Sequence, residues 1–251
     1  MNRFIPIIIS ILIFFFWEII IFLPKNFLSI FVLIICVFFG LLFKLNKFKI
    51  KNKDFWMMSI SPFFFTLFFT VFLLFLNRVF LQHALAVVAA LFLWMQLKHF
   101  YNFFFQITLY RPLALESFSA YLNTAAFLYF SISVYGLINF LNLQVYYLAL
   151  LLVAVSFILT YQFFWINKID EQNNLFASIL TSILTVEIFW SMSFFPISHF
   201  VVGLALTIVY YVITNMTLLH FLNKLDKRLV KIYILIGVSC LLTILLSAKW
   251  L

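Results

Sequence analysis

The stretch "FLSIFVLIICVFFGLLFKLNKFKIKNKD", Phe27–Asp54, decides the class of fold. Residues 27–43 carry no charged side chain, and a helix through the hydrocarbon core of a bilayer needs about 17–25 such residues. Five lysines follow directly: Lys44, Lys47, Lys49, Lys51 and Lys53. Lysine-rich connections beside a span are typical of the cytoplasmic side of a membrane. The stretch therefore predicts a transmembrane helix that ends at a cytoplasmic loop.

The composition extends this interpretation to the whole chain. Of the 251 residues, 67% are hydrophobic and 9% are charged, and the mean hydropathy is +1.20. A soluble domain carries about 25% charged residues, so this chain could not cover a water-facing surface. The two cysteines, Cys36 and Cys240, each lie inside an apolar run, which argues against a disulfide framework and against CxxC-type metal spacing. The composition thus indicates an integral membrane protein.

Nine apolar segments are long enough to span a bilayer. Each must be helical, because backbone groups surrounded by lipid find no water to bond. We therefore predict an all-α fold, a polytopic transmembrane helix bundle that forms a single integral membrane domain over residues 1–251. The predicted spans are about 4–23, 27–43, 55–76, 79–97, 117–139, 143–165, 175–195, 198–220 and 232–249.

The charges predict the orientation of these spans. Thirteen basic residues fall on one side of the membrane, and three, Lys25, Arg78 and Lys249, fall on the other. The positive-inside rule then places the N-terminus in the cytoplasm and, with nine spans, the C-terminus outside. This pattern predicts a multi-pass protein of the cytoplasmic (inner) membrane. We expect the basic loops to contact anionic lipid of the bilayer and expect no nucleic-acid partner, because topology explains the net charge of +9.

A second stretch, "LTVEIFWSMSFFPISHF" (Leu184–Phe200), places Glu187 inside an apolar span. A charged group at the centre of a membrane helix costs roughly 2.5–3.5 kcal/mol, so ionisable residues there are candidates for a functional site. Small residues lie on the opposite face of the same helix and favour close helix packing in lipid. They are Ala177, Ser178, Thr181, Ser182 and Thr185. We therefore predict that this helix packs on its small-residue face and turns Glu187 toward the bundle interior.

The predicted orientation brings four further ionisable residues to the same outer half of the bundle. These are Glu18, His83, Arg78 and His199. Together with Glu187 they form a candidate intramembrane polar site. Two interpretations stay open: a polar cavity or proton-linked site that opens to the outside, or a hydrogen-bonded cluster that fixes helix packing.

Motif searches narrow the function without identifying it. The chain contains no H-E-x-x-H, no paired acidic motif, no G-x-S-x-G and no glycine-rich phosphate loop, so we assign no catalytic residues and predict no metal and no cofactor. The favoured function is a small-solute or lipid carrier, or permease. The alternatives are a non-catalytic membrane subunit or scaffold and, third, a membrane-embedded lipid-modifying enzyme. The expected partner is either another membrane protein or a second copy of the chain.

Four short segments of the last third carry a family resemblance. They are "EIFW" (Glu187–Trp190), "FFP" (Phe194–Pro196), "VYY" (Val209–Tyr211) and "LLSAKWL" (Leu245–Leu251). Over residues 175–251 the chain resembles uncharacterised multi-pass membrane proteins of bacteria with small, AT-rich genomes. The resemblance implies an integral protein of the cytoplasmic membrane and supplies no activity, substrate or site.

Overall fold

The computed structural model describes residues 4–45, 53–106 and 114–248. Within these ranges nine helices are long and apolar enough to cross a membrane, which confirms the prediction of a transmembrane helix bundle. The orientation of the two termini stays a prediction. Some of the basic residues on which it rests lie outside the described residues, namely Arg3, Lys47, Lys49, Lys51, Arg111 and Lys249.

Each predicted span coincides with one helix. In chain order the helices are α1 (Ile5–Phe22), α2 (Phe27–Leu45), α3 (Lys53–Phe72), α4 (Val79–Phe105), α5 (Ala114–Leu141), α6 (Val145–Ile166), α7 (Glu171–Met192), α8 (His199–Phe221) and α9 (Lys227–Ser247). Two 3-10 turns, Pro24–Asn26 and Leu73–Phe75, precede α2 and follow α3. Every apolar segment found in the sequence is therefore a separate helix.

The largest difference from the predicted spans lies at the C-terminal end of α4. The predicted span ends at residue 97, whereas the helix continues to Phe105. Residues 98–105 contain neither proline nor glycine, and the Gln106 N–H still donates to the Asn102 carbonyl at 3.0 Å. Apolarity marks the part of a helix that lies in hydrocarbon, but helical hydrogen bonding continues into the polar interface. For the same reason α7 and α9 begin before the apolar segments that predict them.

Helices α6 and α8 end in the same kind of tight turn. Lys168 and Asn223, which closely follow these helices, have positive φ angles of 60° and 53°. The N–H of the next residue then donates to the carbonyl five residues earlier, at 3.2 Å for Ile169 and 3.0 Å for Lys224. This is the Schellman pattern, which satisfies carbonyls that the helix leaves free. The turn makes the connections to α7 and α9 short.

The chain divides into two compact units, Met1–Ala126 and Phe127–Leu251. The boundary lies inside the continuous helix α5, so the division does not test the prediction of a single integral membrane domain over residues 1–251. Each unit has its own way of packing helices that are apolar almost throughout.

The first unit joins its helices through polar side chains that meet across helix contacts. Helix α1 packs against α2 and α4, and α3 also packs against α2 and α4. Trp17 is fully buried, and its indole N–H donates to Thr70 Oγ1 at 2.8 Å. Ser61 Oγ donates to Asn123 Oδ1 at 2.7 Å. Within hydrocarbon such hydrogen bonds fix which faces of two helices meet.

The second unit contains a crossing at which two helix backbones approach closely. Helix α7 packs along α6 and against α8, and α8 also packs against α9. At Gly203 of α8, an added Cβ would lie only 2.7 Å from the Ile132 Cα of α5. Ser131 Oγ and Thr207 Oγ1 both donate to the Gly203 carbonyl, at 2.9 and 2.8 Å. Small residues at this crossing let the two backbones touch.

Candidate functional site

Two of the predicted site residues meet in the first unit. The Glu18 Oε2 atom lies 2.7 Å from His83 Nδ1, which joins α1 to α4 by a carboxylate–imidazole pair. The two side chains are partly accessible, with 20% of Glu18 and 33% of His83 exposed. Glu18 lies four residues before the end of α1, and His83 lies four residues after the start of α4. The pair therefore lies about one helical turn, or about 6 Å, from the end of each helix.

The small residues of α4 explain how α1 comes close enough for this contact. Beyond His83, Ala86 and Ala89 are buried and Ala90 is half-buried. Methyl side chains on one stripe of α4 leave room for the bulkier residues of α1, which packs along it. The neighbour that these alanines accommodate is α1.

Gln82 and Phe22 complete the surroundings of the pair. The Gln82 side-chain amide donates to the carbonyls of Leu73 at 3.2 Å and Leu76 at 2.8 Å, at the end of the 3-10 turn that follows α3. The amide thereby connects the first turn of α4 to the 3-10 turn before it. The Phe22 ring lies 5.5 Å from the His83 ring, measured between centroids. The position of His83 is thus fixed by its own helix, by the α3–α4 connection and by α1.

Arg78 lies in the connection that leads into α4. It is exposed and occupies the N-cap position of the helix, where its side chain makes no capping hydrogen bond. Its predicted location near the end of the bundle agrees with this position. Among the described residues no ion pair joins the Arg78 guanidinium to the Glu18 carboxylate, which contacts His83 instead.

Glu187 does not face the bundle interior, so the predicted orientation of this side chain is wrong. It is exposed on α7, and among the described residues its carboxylate has no hydrogen-bond or ion-pair partner. The predicted packing face of α7 is confirmed, because its small residues are buried: Ala177, Ser178, Thr181, Ser182 and Thr185. A well-packed face on one side of a helix does not require a neighbour on the other side.

His199 is the first residue of α8 and is 8% exposed. Its ring lies edge-on to that of Phe140, with 5.3 Å between centroids and an angle of 77° between the planes. Aromatic rings in this arrangement attract each other through their quadrupoles. The structure therefore places His199 in an aromatic contact of the second unit, whereas it places His83 in a polar contact of the first.

A carboxylate and an imidazole at hydrogen-bonding distance can share, accept and release a proton. Within 4–45, 53–106 and 114–248, no three histidine, cysteine or acidic residues come together as metal ligands would. The pair by itself supplies two ligands at most, so it suits proton binding better than metal binding. Sequence reasoning missed Gln82 as a supporting residue, although its place next to His83 was the available signal.

Comparison with known proteins assigns a family. Residues 15–247 match the family described as "Protein of unknown function (DUF5656)", so the similarity covers nearly the whole chain and not only the last third. No curated protein and no solved structure matches the chain. The expected membership of an uncharacterised family is thereby confirmed. The chain belongs to the DUF5656 family of proteins of unknown function.

Proposed function

We propose that the protein is a carrier, or permease, for a small solute or lipid, and that the Glu18–His83 pair is its proton-linked site. The single observation that supports this proposal is the 2.7 Å contact between two ionisable side chains within membrane-spanning helices. Ionisable residues at such depth are rare, and they mark transport pathways and proton relays in many membrane proteins. Partial exposure of both side chains gives the pair access to a solute.

The pair links protonation to helix packing. With one proton shared between carboxylate and imidazole, the two groups attract each other and hold α1 against α4. Addition of a second proton leaves a neutral carboxylic acid beside an imidazolium, and the charge attraction is lost. A change in the α1–α4 contact would then follow proton binding, which is the coupling that a proton-driven carrier requires.

The proposed setting follows from the charge pattern. We infer that the protein lies in the cytoplasmic membrane with its N-terminus in the cytoplasm, its C-terminus outside and its basic loops against anionic lipid. Labelling of single cysteines in a Cys36→Ser, Cys240→Ser background tests this orientation. Lys224→Cys should react from the cytoplasmic side and Leu143→Cys from the outside; both positions are exposed. The reverse result would overturn the orientation.

Transport is testable in proteoliposomes that contain a pH-sensitive dye. A panel of small solutes is presented outside, and proton movement that depends on a solute is recorded. We expect Glu18→Gln to abolish this movement, because an amide keeps the shape of the side chain but cannot ionise. Glu187→Gln is the matched control, since that carboxylate is exposed and has no described partner. Flux that survives Glu18→Gln would contradict the assignment of the site.

One observation favours the non-catalytic subunit as a second candidate. Helix α9 buries only Gly237, and its aliphatic side chains are otherwise exposed or half-exposed. Such a helix contacts either lipid or a membrane partner. Two results together would favour this second function over the carrier. A defined partner should co-purify with the natural chain and be lost when α9 carries bulky substitutions, and solute-dependent proton movement should be absent.

A further inference from the structure

Two depressions adjoin on the α1–α4 surface, and together they run from about one helical turn beyond Glu18 and His83 to the opposite end of this helix pair. The first is a groove of about 460 Å³, lined by Ile11, Phe14, Val87 and Leu91 among others. The second is a pocket of about 280 Å³. The polar residues in its lining include Lys98, Tyr101, Asn102 and Gln106. Ile7 and Trp94 line both depressions, so the apolar groove leads into the polar pocket.

The lining of the groove is almost entirely apolar. The one hydroxyl in its lining belongs to Ser10, and this hydroxyl donates to the Pro6 carbonyl of its own helix at 3.0 Å. The other lining residues are aliphatic or aromatic. A hydrocarbon chain fits such a surface, because it needs no hydrogen bonds and gains contact with the side chains.

The pocket has the opposite character. The Lys98 ammonium lies 5.4 Å from the centre of the Trp94 ring, within the range of a cation–π contact, so the indole orients the charge. Asn102 and Gln106 add amide groups to the same pocket. These residues lie on the part of α4 that extends past the predicted apolar span and at its end. A basic residue with a tryptophan at this level matches the phosphate region of a bilayer.

We propose that this combined groove and pocket binds an anionic glycerophospholipid, with the phosphate at Lys98 and one acyl chain along the groove. From Trp94 to Val87 the groove follows α4 for about 10 Å at 1.5 Å per residue, which accommodates much of a chain within one leaflet. Charge complementarity favours an anionic lipid over a protein helix as the occupant. The Lys98 ammonium lies at one end of the combined site, and the lining of the groove is apolar. The site lies apart from Glu18–His83 and stands whether or not the protein is a carrier.

Native mass spectrometry of the detergent-purified protein tests the preference for the headgroup. Phosphatidylglycerol and phosphatidylcholine with identical acyl chains are titrated in parallel. We expect phosphatidylglycerol to bind more tightly and Lys98→Gln to reduce that preference about fivefold, as expected for one lysine near a membrane surface. Lys224→Gln is the matched control, because this exposed lysine lies outside both depressions. An equal preference in the Lys98→Gln and Lys224→Gln variants would overturn the proposal.

Tryptophan quenching tests the position of the acyl chain with a single aromatic replacement in the groove wall. Phosphatidylglycerol with brominated chains is added to the protein in phosphatidylcholine vesicles, and fluorescence is compared with that of Trp94→Phe. The difference in quenching between the natural chain and Trp94→Phe reports on Trp94 alone. We expect this difference to saturate at a low fraction of brominated lipid. Trp190, which is 45% exposed in the second unit, should be quenched only in proportion to bulk lipid. If the Trp94 signal also follows bulk lipid, ordinary boundary lipid fills the groove. If the Trp94 quenching is lost while the protein dimerises, a second copy of the chain fills the groove. Either result rejects the proposed site.

Discussion

Glu18 and Glu187 both lie in apolar stretches of the sequence, but their surroundings in the structure are opposite. Each is a single carboxylic acid in an apolar span, in "FFWEII" for one and "LTVEIF" for the other. In the first unit Glu18 meets His83 at 2.7 Å and is four-fifths covered. In the second unit Glu187 is exposed, and its helix packs through the opposite, small-residue face. The apolar residues around a glutamate thus indicate that its burial would be costly. They do not indicate whether the fold supplies a partner for the carboxylate.

Hydroxyl groups take two roles in the packing of these helices. In the first unit, Thr70 Oγ1 accepts a hydrogen bond from Trp17 on another helix while it donates to the Thr66 carbonyl. Along α7 of the second unit, the hydroxyls of Ser178, Ser182 and Thr185 bond to carbonyls of their own helix. Hydroxyls satisfied within their own helix leave a compact surface that a neighbouring helix can approach. Polar contacts between helices occur in both units, and the second unit adds the close backbone contact at Gly203.

The largest effect that we expect tests the close fit in the second unit. Gly203→Ala places a methyl group 2.7 Å from backbone atoms of Ile132, which cannot move without shifting α5. Overpacking of this kind destabilises by about 1–3 kcal/mol. Thermal unfolding of the purified protein in detergent should show the loss. Gly40→Ala is the matched control, because nothing lies within 4 Å of its added Cβ. An unchanged midpoint for Gly203→Ala would contradict the backbone contact between α5 and α8.

A double-mutant cycle tests the polar contact in the first unit. Glu18→Leu leaves the imidazole of His83 without its carboxylate, so we expect a loss of about 1 kcal/mol in the free energy of unfolding. His83→Leu should cost a similar amount, and the double variant should cost less than the sum, because the two side chains interact directly. Glu187→Leu combined with His83→Leu provides the control and should be additive. Additivity between Glu18 and His83 would show that the pair does not bind α1 to α4.

Glu187 should behave like a surface residue. Replacement by leucine removes an exposed carboxylate without an observed partner, so the free energy of unfolding should change by less than about 0.5 kcal/mol. The variant should also partition into lipid vesicles at least as well as the natural chain. A clear destabilisation would show that Glu187 has a partner in the membrane, and the contrast with Glu18 would then disappear.

The smallest effect concerns the start of α7. Asp170 accepts hydrogen bonds from the Asn173 side chain and backbone, and these lower the pKa of its carboxyl below the usual value. Because the folded-state pKa is the lower one, the stabilisation is complete above the unfolded pKa of about 3.9 and is lost as the pH falls through the folded pKa.

Melting curves at a series of pH values check this dependence. The difference in melting temperature between the natural chain and Asp170→Ala should become smaller at acid pH. Asp170→Asn keeps a capping group that does not titrate. The difference in melting temperature between Asp170→Asn and Asp170→Ala should therefore stay constant across the series. A constant advantage for the natural chain would mean that the carboxylate does not cap the helix.

The sequence predicts the helices of this protein better than it predicts their contacts. Transfer of apolar side chains into lipid depends on the local segment, so nine segments correspond to nine helices among the described residues. The ends are less certain, as α4 shows, because backbone hydrogen bonds form in the interface as readily as in hydrocarbon. The small-residue face of α7 was also predictable, since helical periodicity groups these residues on one side.

The candidate site shows where such reasoning stops. Depth in the membrane correctly grouped Glu18 with His83, because depth follows from position along each helix. Depth alone could not choose between five ionisable residues. The choice depends on the rotation of each helix and on which helices are neighbours, and both are set by packing between distant segments. The inward orientation expected for Glu187 failed for this reason.

The unequal lengths of α1 and α4 have a consequence for the bilayer itself. At 1.5 Å per residue, the 18 residues of α1 span about 27 Å and the 27 residues of α4 about 40 Å. The contact between Glu18 and His83 holds the C-terminal end of α1 level with the N-terminal end of α4. The additional length of α4 therefore extends past the N-terminal end of α1. Hydrophobic mismatch therefore falls on α1, the shorter partner, and it is smallest in a membrane slightly thinner than average. In a thicker membrane, lipid must thin locally beside α1, at the same surface where Lys98 lies.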